Sequence, residues 1–170
     1  MGEQNIEVDK NDNVIGLRPR EDFHKGKYIH RASNLILFNS KKEILLQYRA
    51  ATKKLYPNLI TYSVSGMVAN ETYSECIKRE MKEEIGINIP LKKLFVYPFF
   101  DKYDKAFRAV FIGKTDKEIY HNKKEIQGIK WIDANKLKKE ILESPNKYTP
   151  PFVEGMKIFF SKYFDTVKKL

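Results

Sequence analysis

Three glutamates and an arginine stand together at Arg79-Glu80-Met81-Lys82-Glu83-Glu84-Ile85-Gly86, with Glu71 just upstream. On a helix, residues advance about 100° each, so Glu80, Glu83 and Glu84 are i, i+3, i+4 neighbours and their carboxylates meet over one turn. Like charges at that spacing repel. The chain as a whole is basic, with a net charge of +10, so the knot is not a sample of the average composition. A hard divalent cation takes carboxylate oxygens as ligands and turns repulsion into coordination. The competing reading is a surface helix whose glutamates pair with Lys78, Lys82 and Arg79. Spacing alone does not choose between them; the surroundings do.

Those surroundings are a strand ending in a glycine loop, then Glu71, then a capped helix, then Gly86. Thr72 with Glu75 three residues on predicts a reciprocal cap at the helix start. Ile77, Met81 and Ile85 recur at i, i+4, i+8 as the core stripe, with Lys78 and Lys82 turned to water. Gly86 ends the helix. Upstream, residues 5–17 read as a hairpin with a polar turn at 11–13, and residues 18–31 as a basic, irregular segment containing His24 and His30. Leu35-Ile36-Leu37-Phe38 and Ile44-Leu45-Leu46-Gln47-Tyr48 read as a buried strand-turn-strand unit. Residues 51–59 are a loop, and residues 60–68 alternate as one half-buried strand. Strands are expected near 93–99, 106–113 and 129–132. Helices are expected at 134–143 and, after a Pro-Pro start, at 152–168. This order is α+β, a mixed β-sheet with helices around it.

The 170 residues fit one domain, with residues 1–30 as hairpin and basic segment and 147–170 as the C-terminal helical part. Hydrophobic residues make up 42%, enough for a folded core and too many for a disordered chain. Lys and Arg number 32 against 22 Asp and Glu. Spread this evenly, the excess reads as solvated faces before it reads as a nucleic-acid surface. A lone cysteine, Cys76, forbids an internal disulfide and fits a cytoplasmic location. The apolar runs are too short to span a membrane.

The stretch from Glu71 to Ile87 resembles the Nudix box: Glu, seven residues, Arg-Glu-aliphatic-x-Glu-Glu-x-Gly-aliphatic. Methionine fills one aliphatic slot. The box glycine is displaced: Ser65 occupies its position and Gly66 follows one residue late, so the loop into Glu71 is a residue short. Asn70 stands where the family has Gly; asparagine enters the left-handed region readily. Further segments, 29–32, 45–49, 53–57 and 63–66, are similar to the branch containing isopentenyl diphosphate isomerase and related pyrophosphohydrolases. The resemblance implies an α/β/α sandwich around a mixed sheet. It also implies hydrolysis of a pyrophosphate bond with Mg²⁺, or Mn²⁺, held by Glu80, Glu83, Glu84 and a backbone carbonyl at Ser65 or Gly66.

By the same resemblance, Arg79 holds the helix glutamates in place through Glu71. Glu83 or Glu84 orients the attacking water, and Glu125 is a second candidate, weighed against an exposed loop charge beside Lys123 and Lys124. In the isomerases a cysteine and a metal-binding histidine precede the box. Here those positions hold Ser65 and Met67, a poor acid–base group and a poor ligand for a hard metal, so hydrolysis is favoured. His24 and His30, without their third partner, read as surface or phosphate-contacting groups. Lys25, Lys27, Arg31, Arg49 and Lys53 are candidate phosphate contacts. Tyr56, Phe99, Phe100 and Tyr103 are candidate stackers for a base, weighed against core packing. The expected substrate is a nucleoside diphosphate linked to another group. Isomerase activity and a non-catalytic nucleotide- or RNA-binding module are the alternatives. Exposed N-terminal strands leave a homodimer open.

Overall fold

The computed structural model describes residues 2–167 and residue 169. The chain begins with a hairpin of β1 (Gln4–Val8) and β2 (Val14–Pro19). Asp9 closes its turn by accepting from the backbone N–H of Asn11 at 2.8 Å and of Asn13 at 3.0 Å. A short α1 (Arg20–Phe23) leads into β3 (Ile29–Phe38), the ten-residue spine of the sheet. Along its length β3 pairs in turn with β1, with β6 (Val64–Met67) and with β4 (Glu43–Arg49). It pairs in parallel with β8 (Lys105–Lys114) from Ala106 to Lys114. β4 also carries β5 (Ile60–Thr61) and β9 (Ile126–Asp133). β7 (Lys92–Phe100) lies antiparallel to β8.

Side chains alternate across a strand, and here each of two faces has its own helical cover. Leu35 and Leu37 of β3, Leu45 of β4 and Phe111 of β8 pack with Ile77, Met81 and Ile85 of α2 (Tyr73–Ile85). Ile36 and Phe38, Ile44 and Leu46, and Val110 and Ile112 face the other way. They meet α3 (Ala134–Glu143), α4 (Pro150–Lys162) and α5 (Phe164–Val167). Strands buried on both faces read as continuous apolar runs, as Leu35-Ile36-Leu37-Phe38 does. The result is the expected α+β layering of helices around a mixed sheet.

Three expectations need correction. Residues 60–68 are two strands, because Ser63 leaves the ladder: its Oγ donates to the Leu45 carbonyl at 2.6 Å and accepts the Leu37 N–H at 2.9 Å. The segment 18–31 is not irregular throughout, since β2 runs to Pro19, α1 follows, and β3 starts at Ile29. The C-terminal helix starts at Pro150 and breaks at Tyr163 before α5; its expected end at residue 168 lies outside the described residues. Among the described residues no helix is long and apolar enough to cross a membrane.

Candidate active site

The α2 helix is built as its sequence dictates. The Thr72 hydroxyl accepts from the Glu75 N–H at 3.2 Å, while the Glu75 carboxylate takes the Thr72 N–H at 2.8 Å. Gly86 closes the far end in the left-handed conformation, φ 68°, donating to the Lys82 carbonyl. With Ile77, Met81 and Ile85 buried against the sheet, the helix has one rotation available, and that rotation sets where the glutamates point.

Arg79 gathers most of them. Its guanidinium meets Glu71 through two bonds, Nη2 to Oε1 at 2.6 Å and Nε to Oε2 at 3.1 Å. Nη1 reaches Glu80 at 2.8 Å and Glu83 at 3.3 Å. Burial pushes the Glu71 carboxyl up, but Arg79 and the Ala69 N–H more than offset it and hold Glu71 below the usual range. Glu80 packs directly on Gly66: a Cβ there would lie 2.3 to 2.5 Å from its side-chain atoms. Burial raises Glu80, with Arg79 opposing.

Glu84 points inward and is outside the Arg79 fan. Its Oε2 accepts from Gln47 Nε2 at 3.0 Å and faces the Ser65 N–H at 3.4 Å. Burial first, then the Glu80 charge, pushes Glu84 up to about 8. Two carboxylates are thus held near each other in a low-dielectric position with too little positive charge. Hard oxygen donors with that deficit fit a divalent cation. Among the described residues no three carboxylate, histidine or thiol groups converge as a closed ligand set, because Arg79 draws Glu71, Glu80 and Glu83 to itself.

The short loop before Glu71 does not use the expected device. Asn70 is not among the non-glycine residues with positive φ; the turn is closed instead by Glu71 accepting from Ala69 at 3.3 Å. The Gly66 carbonyl takes the Cys76 thiol at 3.8 Å. Burial pushes that thiol well up, so Cys76 is a packing residue rather than a nucleophile.

Two depressions meet at Glu84, Ser65, Gly66, Lys53 and Arg20. One holds the carboxylates, with Arg79, Glu80, Glu83 and Glu125. The other is a cleft of about 420 Å³ walled by Arg20, His24, Arg49, Lys53, Lys54 and Arg108. Of the residues expected to meet substrate, Arg49, Lys53 and Tyr56 line this cleft, as do His24 and His30. Arg49 also donates to the carbonyls of Leu55 at 2.8 Å and Tyr56 at 3.2 Å, which shapes the loop over it. Glu125 lines the first depression together with Glu83 and is paired with Lys53.

Arg31 is elsewhere, bonded to Asp12 at 2.7 Å and stacked on Tyr73. Tyr103 is exposed at the β7–β8 turn and, like Phe99 and Phe100, does not line the cleft. His30 is not a surface group: it is buried, with Nε2 2.9 Å from Asp104. Asp104 in turn pairs with Arg108. Sequence reading missed this pair, although an arginine inside the apolar run Ala106-Phe107-Arg108-Ala109-Val110-Phe111 required a buried partner. It also missed Gln47 and Arg20.

A NUDIX domain model matches residues 28–152, covering the helix, the loop before it and strands β3 to β9. The chain belongs to the Nudix family. A prenyl-diphosphate phosphatase of Methanosarcina mazei is 45% identical over 90% of this chain and 93% of its own length. Isopentenyl-diphosphate Delta-isomerase 2 of Photorhabdus laumondii is 36% identical, covering 88% of each. The solved structure of DR0079 from Deinococcus radiodurans shares the fold, with a TM-score of 0.72 at 24% identity, over 86% of this chain and 92% of that one. The protein is a Nudix pyrophosphohydrolase, of a family that works with divalent cations.

Proposed function

We propose that this Nudix enzyme hydrolyses the pyrophosphate bond of a prenyl diphosphate, using Mg²⁺ or Mn²⁺. The observation that carries the reading is the junction of the two depressions. A diphosphate lying there would have its phosphates against Arg20, Arg49, Lys53 and Lys54 and its reacting phosphorus beside Glu84. Ala32, Leu55, Tyr62 and Met67 offer apolar surface to a hydrocarbon group further along the cleft. The 45% identity to a prenyl-diphosphate phosphatase supports the same class.

Glu80, Glu83 and Glu84, with a carbonyl at Ser65 or Gly66, would hold the metal. Bound there, it would activate the attacking water and offset charge on the phosphoryl oxygens. Arg79 and Glu71 act as positioning residues, fixing the helix carboxylates. Glu83, Glu84 or Glu125 receives the proton of the attacking water. The nucleotide reading is weaker, since of the aromatic residues that would stack on a base Phe99, Phe100 and Tyr103 lie outside the cleft, and Tyr56, which lines it, has its hydroxyl bonded to Asp101 at 2.8 Å. The isomerase reading is weaker because the Ser65 hydroxyl is committed to Asn34 at 2.8 Å and Met67 offers no hard ligand.

The test is chromatographic detection of the monophosphate products from isopentenyl, geranyl and farnesyl diphosphates beside nucleoside diphosphate sugars, with and without each metal. Metal-dependent turnover is expected to favour the prenyl members. Preference for the nucleotides would overturn the substrate class, and allylic isomer without monophosphate product would overturn hydrolysis of these substrates.

A further inference from the structure

Lys53 lines both depressions, and its partner Glu125 is a carboxylate of the metal-side depression. Each sits on a pinned loop. The Lys53 loop is tied down by Arg49, which donates to the carbonyls of Leu55 and Tyr56 and whose backbone is bonded to Leu59 and Asn58. The Glu125 turn is tied by its N–H to the Asn122 carbonyl at 3.0 Å, and the Asn122 N–H to the Glu84 carbonyl at 2.8 Å. The two backbones are therefore fixed, while the side chains are 26% and 46% exposed and free to change partner.

We propose that Lys53 is an exchangeable cation, paired with Glu125 until the substrate's diphosphate takes it, which releases Glu125 to the hydrolytic site. This rests on the diphosphate lying at the junction of the depressions. Phosphate oxygens offer a lysine charge-assisted bonds stronger than those of a half-exposed carboxylate, so the exchange runs in the direction of binding. It gives Glu125 two conditions. In the empty enzyme its charge is neutralised, and in the loaded enzyme it faces the carboxylate cluster uncompensated, ready to accept a hydrogen bond from water. The Lys53 hydrogen bond lowers the Glu125 carboxyl, with burial opposing.

The exchange makes an unusual demand: Glu125 competes with the ligand for Lys53, so removing its charge should improve anion binding. Inorganic pyrophosphate, without metal, is the probe, measured by titration calorimetry. Glu125→Gln should tighten its binding roughly two- to fivefold, the scale of one partly exposed ion pair. Lys53→Met should weaken it about tenfold or more. In the double variant Glu125→Gln should add nothing to Lys53→Met. Equal tightening by Glu125→Gln in both backgrounds would show a general charge effect and overturn the exchange. So would no tightening in the wild-type background. Both side chains are partly exposed, and thermal melts of each variant check the fold. Turnover of the wild type on prenyl diphosphates tests the substrate class separately, so either idea can fail alone.

Discussion

Two arginine–carboxylate clusters flank the cleft, and they are balanced differently. Arg79 serves Glu71, Glu80 and Glu83 at once, while Glu84 beside them is left to Gln47. Arg108 serves Asp104 alone, and His30 completes that carboxylate's bonding. The first cluster has four carboxylates for one cation, and its edge is open to solvent through Glu83, 57% exposed. The second has one for one and is closed, with side chains 9% or less exposed. A cluster short of positive charge is one that an added cation completes. A balanced, buried one holds the wall in shape, although Arg108 borders the cleft and its Nε is left without a hydrogen-bond partner.

If that contrast is right, neutralising one member of each cluster has opposite consequences. Glu84→Gln keeps an acceptor for Gln47 and removes a carboxylate whose burial and Glu80 neighbour push it up. Activity should fall about a thousandfold, near 4 kcal/mol of barrier, while stability holds or rises. Steady-state phosphate release beside a urea melt measures both. Activity within a few fold of wild type would remove Glu84 from the chemistry.

Arg108→Met should do the reverse. It leaves Asp104 charged and buried with one partner gone, a loss of about 3 kcal/mol. Adding Asp104→Asn should recover part of it, because the orphaned charge goes too. A stable but inactive Arg108→Met would assign the arginine to the substrate instead of the wall.

Thr72→Ala is a smaller probe of the first cluster. The Thr72–Glu75 exchange starts α2, and its loss should cost about 1 kcal/mol, read as a lower urea midpoint at an unchanged slope. The cap sets where the helix begins and the Ile77, Met81, Ile85 stripe sets its rotation, so metal affinity should hardly change. A large drop in Mg²⁺ affinity would show that the cap also places Glu80.

The same contrast explains what was legible in the sequence. The Arg79 cluster is local: its members lie between Glu71 and Glu84, and helix geometry with one cap and one apolar stripe determines how they face. The layered sheet was legible for a similar reason, since continuous apolar runs at 35–38 and 44–46 mark strands covered on both faces. The Arg108 cluster joins residues from β3, the β7–β8 turn and β8, brought together by a parallel pairing between His30 and Ala106. Nothing local encodes that pairing. Arg31 misled for the converse reason. It is one residue from the buried His30 on a strand, so it points to the opposite face, toward Asp12 and Tyr73. The break at Ser63 was illegible because it depends on hydrogen bonds to Leu45 and Leu37, on two other strands.

The smallest effect separates the clusters by acid. Burial pushes the Asp104 carboxyl up, but the Arg108 charge and the His30 bond outweigh it and hold it well below its ordinary value. The folded state therefore binds this proton less readily than the unfolded chain. The stabilisation is fully present above the unfolded value near 3.8 and is lost as pH falls toward the folded one. For Asp104 alone the loss is only about 0.3 kcal/mol by pH 4, steepening toward about 1.4 kcal/mol per pH unit below that. Asp104→Asn, though less stable throughout, should lack this component, so its stability should fall less steeply than wild type between pH 5 and pH 3. Parallel slopes in urea melts across that range would mean that Asp104 is not held ionised by Arg108, and the picture of a self-contained wall cluster would fail with it.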